Sequence, residues 1–510
     1  MKARERHWFV TLLLIVFMAG CSGGGGGGGT TPLSDAKAMT AFSFTSPAAT
    51  GTINESAKTI FVTVPNGTNV TALIATFTTT GASVKVGSTV QVSGTTANDF
   101  TSPVAYTVTA ADSTTAIYTV TVTVSASAGT NAIKLPKTGQ TTCYNSAGTV
   151  IACVNTGQNG ELQKGVAWPN PRFTTNADTT VTDNLTGFIW APNGNLMPTR
   201  DNNWDADETA NDGRVTWQHA LDYVAKLNAE NYLGHNDWRL PNRKELKSLV
   251  NYGQSNTATW LNTQGFTNAQ AYGYWSSTSY TRNANGAWLV HMYGGVVYYF
   301  YKTYSYYVWP VRAGQGFGAP ADQPKTGQTI CYDSAGAVIS CANTGQDGAL
   351  LKGVAWPNPR FTTNGDTSVT DNVTGLVWTP SGNLMPTKDP GWDTDYVPAN
   401  GWEAANDGIV TWRHALDYIA KLNTDNYLGH NDWRLPDINE LESLVNAGQS
   451  NTATWLNTQG FTNAQADGYW SSTSYAYDAG CAWYVNMYGG NVGDDGKTDN
   501  HYVWPVRAGQ

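Results

Sequence analysis

Charge is what this sequence has least of. Only 13% of its 510 residues are Asp, Glu, Lys or Arg. That excludes the highly charged, aromatic-poor composition of a disordered chain and the Ala/Glu/Lys/Leu-rich composition of a coiled coil. The little charge present leans acidic, with 29 basic against 38 acidic residues and a formal net charge of −9. A body of that sign draws no nucleic acid or sulfated polymer at long range, so nucleic acid is not an expected partner. Cysteine is scarce too, six residues in all, and no pair has beside it the His or second Cys pair that a zinc site needs. The apolar run at residues 8–18 is too short to cross a bilayer as a stable helix. What the chain has instead is aromatic side chains and turn formers: 20 Trp, 26 Tyr and 53 Gly. Its length is that of three or four domains.

Lys2, Arg4 and Arg6 precede the apolar run, which ends in Met18-Ala19-Gly20-Cys21. This layout resembles a bacterial lipoprotein signal, with Met in place of the usual first lipobox residue. The resemblance implies removal of residues 1–20, lipidation of Cys21, and export to a membrane surface, the outer membrane given Ser22. Residues 21–36, with seven glycines after Ser22, read as a flexible tether. The other cysteines fit export. Cys143 and Cys153 flank Asn145-Ser146-Ala147-Gly148, and Cys331 and Cys341 flank Asp333-Ser334-Ala335-Gly336. Each pair is expected to close a hairpin as a disulfide, which leaves Cys481 over.

Residues 37–126 alternate apolar and polar, as at Ile60, Val62, Val64 and Tyr118, Val120, Val122, Val124. Period two with Thr and Ser between predicts half-buried strands. Several of them in this span predict a β-sandwich, similar to the immunoglobulin-like or cadherin-like spacers of bacterial surface proteins. Residues 137–315 and 325–510 are a tandem repeat. Thr216-Trp217-Gln218-His219-Ala220-Leu221 recurs as Thr411-Trp412-Arg413-His414-Ala415-Leu416, and Asn236-Asp237-Trp238-Arg239-Leu240-Pro241 as Asn431-Asp432-Trp433-Arg434-Leu435-Pro436. Each copy is long enough to be a domain. Trp217, Ala220, Leu221, Val224 and Leu227 follow helical spacing, and Asn242 is placed to cap a second helix with Leu246, Leu249 and Val250. Residues 308–312 read as a buried closing strand.

Trp238-Arg239-Leu240-Pro241 leading to Glu245, then Tyr274-Trp275-Ser276-Ser277-Thr278, then Trp309-Pro310-Val311-Arg312, resemble the Lcl C-terminal domain family. Both copies carry the whole set. The resemblance implies an α+β domain of the C-type-lectin-like, formylglycine-generating-enzyme-like fold, with two helices and a small twisted sheet. The expected architecture is therefore multidomain: an immunoglobulin-like β-sandwich followed by two α+β C-type-lectin-like domains. Such a fold does not by itself mean sugar binding.

The two copies differ unevenly. Residues 249–280 and 444–475 disagree at two of 32 positions, Tyr252/Ala447 and Tyr272/Asp467; residues 281–315 and 476–510 disagree at 15 of 35. Core positions resist changes of shape and polarity, so exchanges such as Phe300/Asp495 predict a surface facing water or a ligand. Copy one would present Tyr252, Tyr272, Arg282, Asn283, Asn285, Leu289, His291, Val296, Tyr298, Tyr299, Phe300, Tyr301, Tyr304, Ser305 and Tyr306. Copy two would present Ala447, Asp467, Tyr477, Asp478, Gly480, Cys481, Tyr484, Asn486, Asn491, Asp494, Asp495, Asp499, Asn500 and His501. Leu289 and His291 alternate with the unchanged Trp288, Val290 and Met292, which predicts a strand with one fixed and one variable face. None of the differing residues is Lys, Glu, Gln, Met or Trp, so all have codons ending in T or C. This resembles the adenine-directed variable region of a diversity-generating-retroelement target; Cys481 is then one such letter. Tyr and Arg suit antibody-like recognition, and two heads on one tether would gain avidity. The partner would be a protein or glycan at a cell or phage surface.

Two rivals stand beside this reading. A fixed-specificity adhesin would bind glycans or glycosaminoglycans, by analogy with the collagen-like adhesin behind the family's name. An oxidoreductase like the formylglycine-generating enzymes would need a redox cysteine pair in the C-terminal part, which neither copy has; no enzyme activity and no cofactor are expected. Calcium stays open at Asp205, Asp207, Asp393 and Asp395, although carboxylates in such loops are more often turn formers. Arg239 and Arg434 are expected in structural ion pairs with Asp237/Asp432 or Glu245/Glu440.

Overall fold

The computed structural model describes residues 33–46, 48–64, 68–124, 132–204, 212–312, 319–392 and 406–508. Cys21, the signal and nearly all of the tether lie outside them, as do Asp205, Asp207, Asp393 and Asp395. The chain divides into two compact units, Met1–Ser127 and Ala128–Gln510. It is mostly β-sheet with few helices, and among the described residues no helix is long and apolar enough to cross a membrane.

The first unit is a two-sheet sandwich. Met39–Thr45 lies between Ala48–Thr50 and Leu73–Thr79 in one sheet; Thr115–Val124 lies between Thr59–Val64 and Val104–Thr109 in the other. The period-two prediction holds: Ile60, Val62, Val64, Tyr118 and Val120 are buried, while Phe61 between them is exposed. Phe42, Phe44, Phe100 and Tyr106 fill the space between the sheets, edge to face or stacked.

The second unit contains both copies. In copy one, α1 (Trp217–Ala229) buries the predicted apolar stripe. α2 (Arg243–Lys247) is capped as expected, the Asn242 side chain accepting from the N–H groups of Lys244 and Glu245. It is only one turn long, because Leu249 and Val250 leave it for the core. Three strands follow: β1 (Gly273–Ser279), β2 (Gly286–His291) and β3 (Val297–Tyr301). Copy two repeats them as α3 (Trp412–Thr424), α4 (Ile438–Ser443), β4 (Gly468–Ser474), β5 (Cys481–Asn486) and β6 (Val492–Gly496). Arg239 and Arg434 pair with Glu245 and Glu440, while Asp237 and Asp432 take Arg312 and Arg507. Val311–Arg312 pairs with Ile189–Trp190 as the closing strand.

The two copies share one ten-stranded sheet. β3 pairs antiparallel with β6 through Val297 and Val492, which are equivalent residues of the repeat. A residue paired with its own equivalent puts an approximate two-fold axis through the pair, perpendicular to the sheet. Below the sheet the seam is not symmetric. Arg243 lies 3.9 Å over the Trp288 ring, donates to the Gly490 carbonyl at 2.6 Å and faces Glu442 at 3.3 Å. The equivalent of Arg243 is Ile438, and that of Lys247 is Glu442 itself, 3.8 Å from the Lys247 ammonium. Gly294 and Gly489 have no room for a side chain: a Cβ there would lie 2.5 Å and 2.8 Å from the hydroxyls of Tyr475 and Tyr280 of the opposite copy.

Each copy also lends its N-terminal arm to the other. Gln140 donates to the Ser474 carbonyl at 2.7 Å and accepts from its N–H at 2.9 Å; Gln328 makes the same two bonds to Ser279. Lys497 donates to the carbonyl of Asn145, and Lys302 to that of Asp333 at 3.0 Å. Both expected disulfides, Cys143–Cys153 and Cys331–Cys341, brace these arms. Asn159 of one arm bonds Thr473, and Asp347 of the other accepts from Thr278 at 2.8 Å and Thr326 at 2.6 Å.

Burial holds the Asp347 acid up at about 6, against 3.8 for a free carboxyl. The folded chain therefore binds this proton more tightly than the unfolded chain, so stability is lost as pH rises through that window. Asp347→Asn, which copies Asn159, is expected to stabilise the full chain by ~1–3 kcal/mol near neutral pH. The gain should vanish below about pH 4 in denaturant titrations. Glu442→Gln should act the other way: it leaves Arg243 and Lys247 buried without their carboxylate and is expected to cost ~3–5 kcal/mol in the same assay.

Candidate ligand-binding face

Side chains alternate across β2 and β3. Trp288, Val290 and Val297 point down to α2 and the seam, and all are buried. The opposite side carries letters that differ between the copies. Leu289 lies across from Tyr298 on β3, with Phe300, Tyr306, Tyr272 and His291 around them. In copy one these rings pack on one another: Phe300 against Tyr304 at 4.9 Å, Phe300 against Tyr306 at 5.5 Å, and Tyr272 stacked on Tyr306 at 5.7 Å. Tyr272 and Tyr304 are the most open of these, with 41% and 49% of their surface exposed; Tyr301, 48% exposed, has the register of Val297 and Tyr299 on the other side.

Copy two builds the same side from small and acidic residues. Gly493 faces Tyr484, whose ring stacks on His501 at 4.4 Å, and His501 reaches Asp495 at 3.3 Å. Asp467 and Asp499 are exposed. Asp499 is held above the usual carboxylate range by partial burial and by Asp495 beside it, whereas His501 holds Asp495 below it. Asn486 and Asn491 close the turn between β5 and β6, the Asn486 N–H donating to the Asn491 carbonyl at 2.9 Å.

Not every differing residue is wet, and the structure corrects four expectations. Leu289 is fully buried because Tyr298, Tyr306 and Gly273 close over it. Tyr306 is 5% exposed, its ring wedged against Trp275 at 4.9 Å. Tyr252 and Ala447 are buried at the seam: Tyr252 meets Trp483 of copy two edge-on at 5.1 Å, the side of Trp288 that Ala447 leaves open being filled by Arg243. Three more letters turn away from the face. Tyr299 stacks on Tyr280 at 3.8 Å on the lower side, with Asp494 in its place in copy two. Arg282 lies 3.6 Å over the ring of Tyr488, and Tyr477 meets Tyr293 at 4.9 Å, both across the seam. Asn285 and Gly480 lie under the arm turns at Gly336 and Gly148. Asn283, Val296 and Ser305 of copy one, and Asp478, Asn491 and Asn500 of copy two, stay at least partly exposed.

Tyr293 and Tyr488 are identical in the two copies, so a search for differences passes over them although they line the seam; Lys302 and Lys497 were missed in the same way. The histidines outside the face are pinned: His235 to Asp178 at 2.8 Å, His430 to Asp366 at 2.9 Å, and His219 against Trp204. Among the described residues Cys481 is the free thiol, pushed up to about 11 by burial and the aspartates around it, so it is no ready nucleophile. Asp201 and Asp389, beside the undescribed acidic loops, are already neutralised by Lys226 and Lys421 at 2.6 Å.

Residues 179–312 and 367–507, together more than half of the chain, each match the Lcl C-terminal domain model. The chain belongs to the Lcl C-terminal domain family. In each copy the exchanged arm precedes the matched stretch. Residues 39–122 match the model of the SGBP N-terminal domain, that of surface glycan-binding proteins. No curated protein matches. Two solved structures are similar in part. One is named for a secreted protein of Bacteroides fragilis, with 17% identity, 18% of this chain and 98% of that one covered, and a TM-score of 0.15. The other is named for a glycoside hydrolase of Bacteroides thetaiotaomicron, with 18% identity, 37% of this chain and 61% of that one covered, and a TM-score of 0.16.

The dry and wet letters should separate in stability measurements. Leu289→Ala is expected to cost ~2–4 kcal/mol. Tyr301→Asp and Tyr304→Asp, at open positions, should stay within ~0.5 kcal/mol of the parent chain.

Proposed function

We propose that this chain is an exported recognition protein, held to a membrane by lipid on Cys21, whose paired Lcl C-terminal domains present a diversified, C-type-lectin-like binding face. The observation that supports it most is the exchange of an aromatic layer for aspartates and glycines on one side of a sheet whose other side keeps the same buried Trp and Val residues in both copies. A scaffold that tolerates Phe300/Asp495 and Tyr298/Gly493 over the same buried Trp and Val residues is built to vary there. The seam exchange Tyr252/Ala447 has a separate packing origin, since Arg243 and Tyr252 each fill the space beside one tryptophan.

A glycan-binding adhesin of fixed specificity is the second reading, favoured by the SGBP N-terminal match at residues 39–122. Oxidoreductase chemistry draws no support from the cysteines: four are paired on the arms, and the thiol of Cys481 is held in its neutral form. Sequencing the DNA beside this gene, and the gene itself from independent isolates, separates the first two readings. Diversification requires a reverse-transcriptase gene, a near-copy of the codons for residues 444–510 with AAC where these vary, and isolate differences gathered at the variable positions. An invariant face with no such neighbour would overturn it and leave the fixed adhesin.

A further inference from the structure

We infer that the faces of the two copies form one surface that takes a single ligand across the seam, and that this ligand is a polypeptide segment carrying Lys or Arg beside apolar side chains. The inference rests on the reading of the face as a binding surface and adds to it the number of ligands and their chemistry.

The geometry follows from the pairing of Val297 with Val492. Directly opposed residues of an antiparallel ladder point to the same side, and their neighbours to the other. Both valines are buried below the sheet, so Tyr298 and Gly493 both emerge above it. Val296 and Tyr298 of copy one therefore abut Asn491 and Gly493 of copy two, on strands ~5 Å apart. The two faces join edge to edge, and the sheet continues beneath them without a break. Exchanged arms and the buried Arg243–Glu442 contact fix their relative position, so the combined surface is preorganised.

The chemistry follows from what each half lacks. The copy-one half is aromatic, with Tyr272 and Tyr304 open to solvent beside Tyr306 and Phe300; it buries apolar or cationic side chains well. The copy-two half holds Asp467, Asp495 and Asp499 with only His501 among them as a basic group. Lys302 and Lys497, the nearest lysines in sequence, are buried and donate to arm carbonyls. Covering this half with apolar groups would desolvate carboxylates without compensation, whereas an ammonium or guanidinium pairs with them by charge-assisted hydrogen bonds.

The test pans a phage-displayed random-peptide library on the full chain and measures enriched synthetic peptides by calorimetry. It compares the parent chain with Tyr272→Ser/Tyr304→Ser, with Asp467→Asn/Asp499→Asn, and with all four changes. The expected peptides carry Lys or Arg beside aromatic or aliphatic residues and bind one per chain. Either double substitution should weaken them ~10-fold or more, and so should about 0.5 M salt in place of low salt. Two peptides per chain, or loss with one double substitution only, would show independent faces and overturn the inference while the binding face stands. Enriched peptides without a basic residue, or an array on which neutral glycans bind the parent but not the fourfold variant, would overturn the ligand chemistry. No probe that distinguishes the parent from the fourfold variant would remove the binding face itself.

Discussion

Two buried serines govern how the tandem repeat holds together. At Ser279 and Ser474 the strand ends inside the molecule, where an unpaired N–H and carbonyl would each forfeit a hydrogen bond to water. In both places a glutamine amide satisfies the two groups at once, and in both it comes from the other copy. The rest of the assembly follows from this exchange. It brings β3 against β6, sets α2 against α4, and places Glu442 within reach of Arg243. The lysines at 302 and 497 then grip the borrowed turns from below.

Above that fixed frame the two copies solve the same packing problem differently. Copy one covers Leu289 with its own rings, so its surface is thick and apolar. Copy two lays Tyr484 against Gly493 and stacks it on His501, so its surface is thin and acidic. The backbone accepts both because the side chains above the sheet pack chiefly on one another, while the buried Trp288, Val290 and Val297 on its other side match Trp483, Val485 and Val492. Diversity at a face of this kind is limited by self-packing: large letters that bury a neighbour cease to be available to a partner.

Much of this was legible in the residues. Alternation located the sandwich strands, helical spacing located α1, Asn242 with Glu245 marked the cap, and the loop between each cysteine pair foretold the hairpin. The strand at residues 286–291, with its fixed and variable sides, also emerged from alternation. Depth did not. Period two says which side Leu289 is on but not how far Tyr298 and Tyr306 reach over it. Partnership did not either: nothing in Gln140 or Gln328 says which copy the arm will join, and no local pattern sets Tyr252 against a tryptophan more than 200 residues away. Both depend on contacts distant in sequence, which periodicity cannot carry.

The traded arms bear on how such a molecule can be made. A polypeptide with a single copy that kept this arm geometry would meet its strand end with the glutamine of a second molecule, as in domain swapping. Fusing two copies into one gene turns that meeting into an intramolecular event. The substitution of glutamate for lysine at one of the two equivalent helix positions, Lys247 and Glu442, then makes the halves complementary rather than identical. Two first halves would bring lysine to lysine and two second halves glutamate to glutamate, so the fused molecule favours closure on itself over growth into chains.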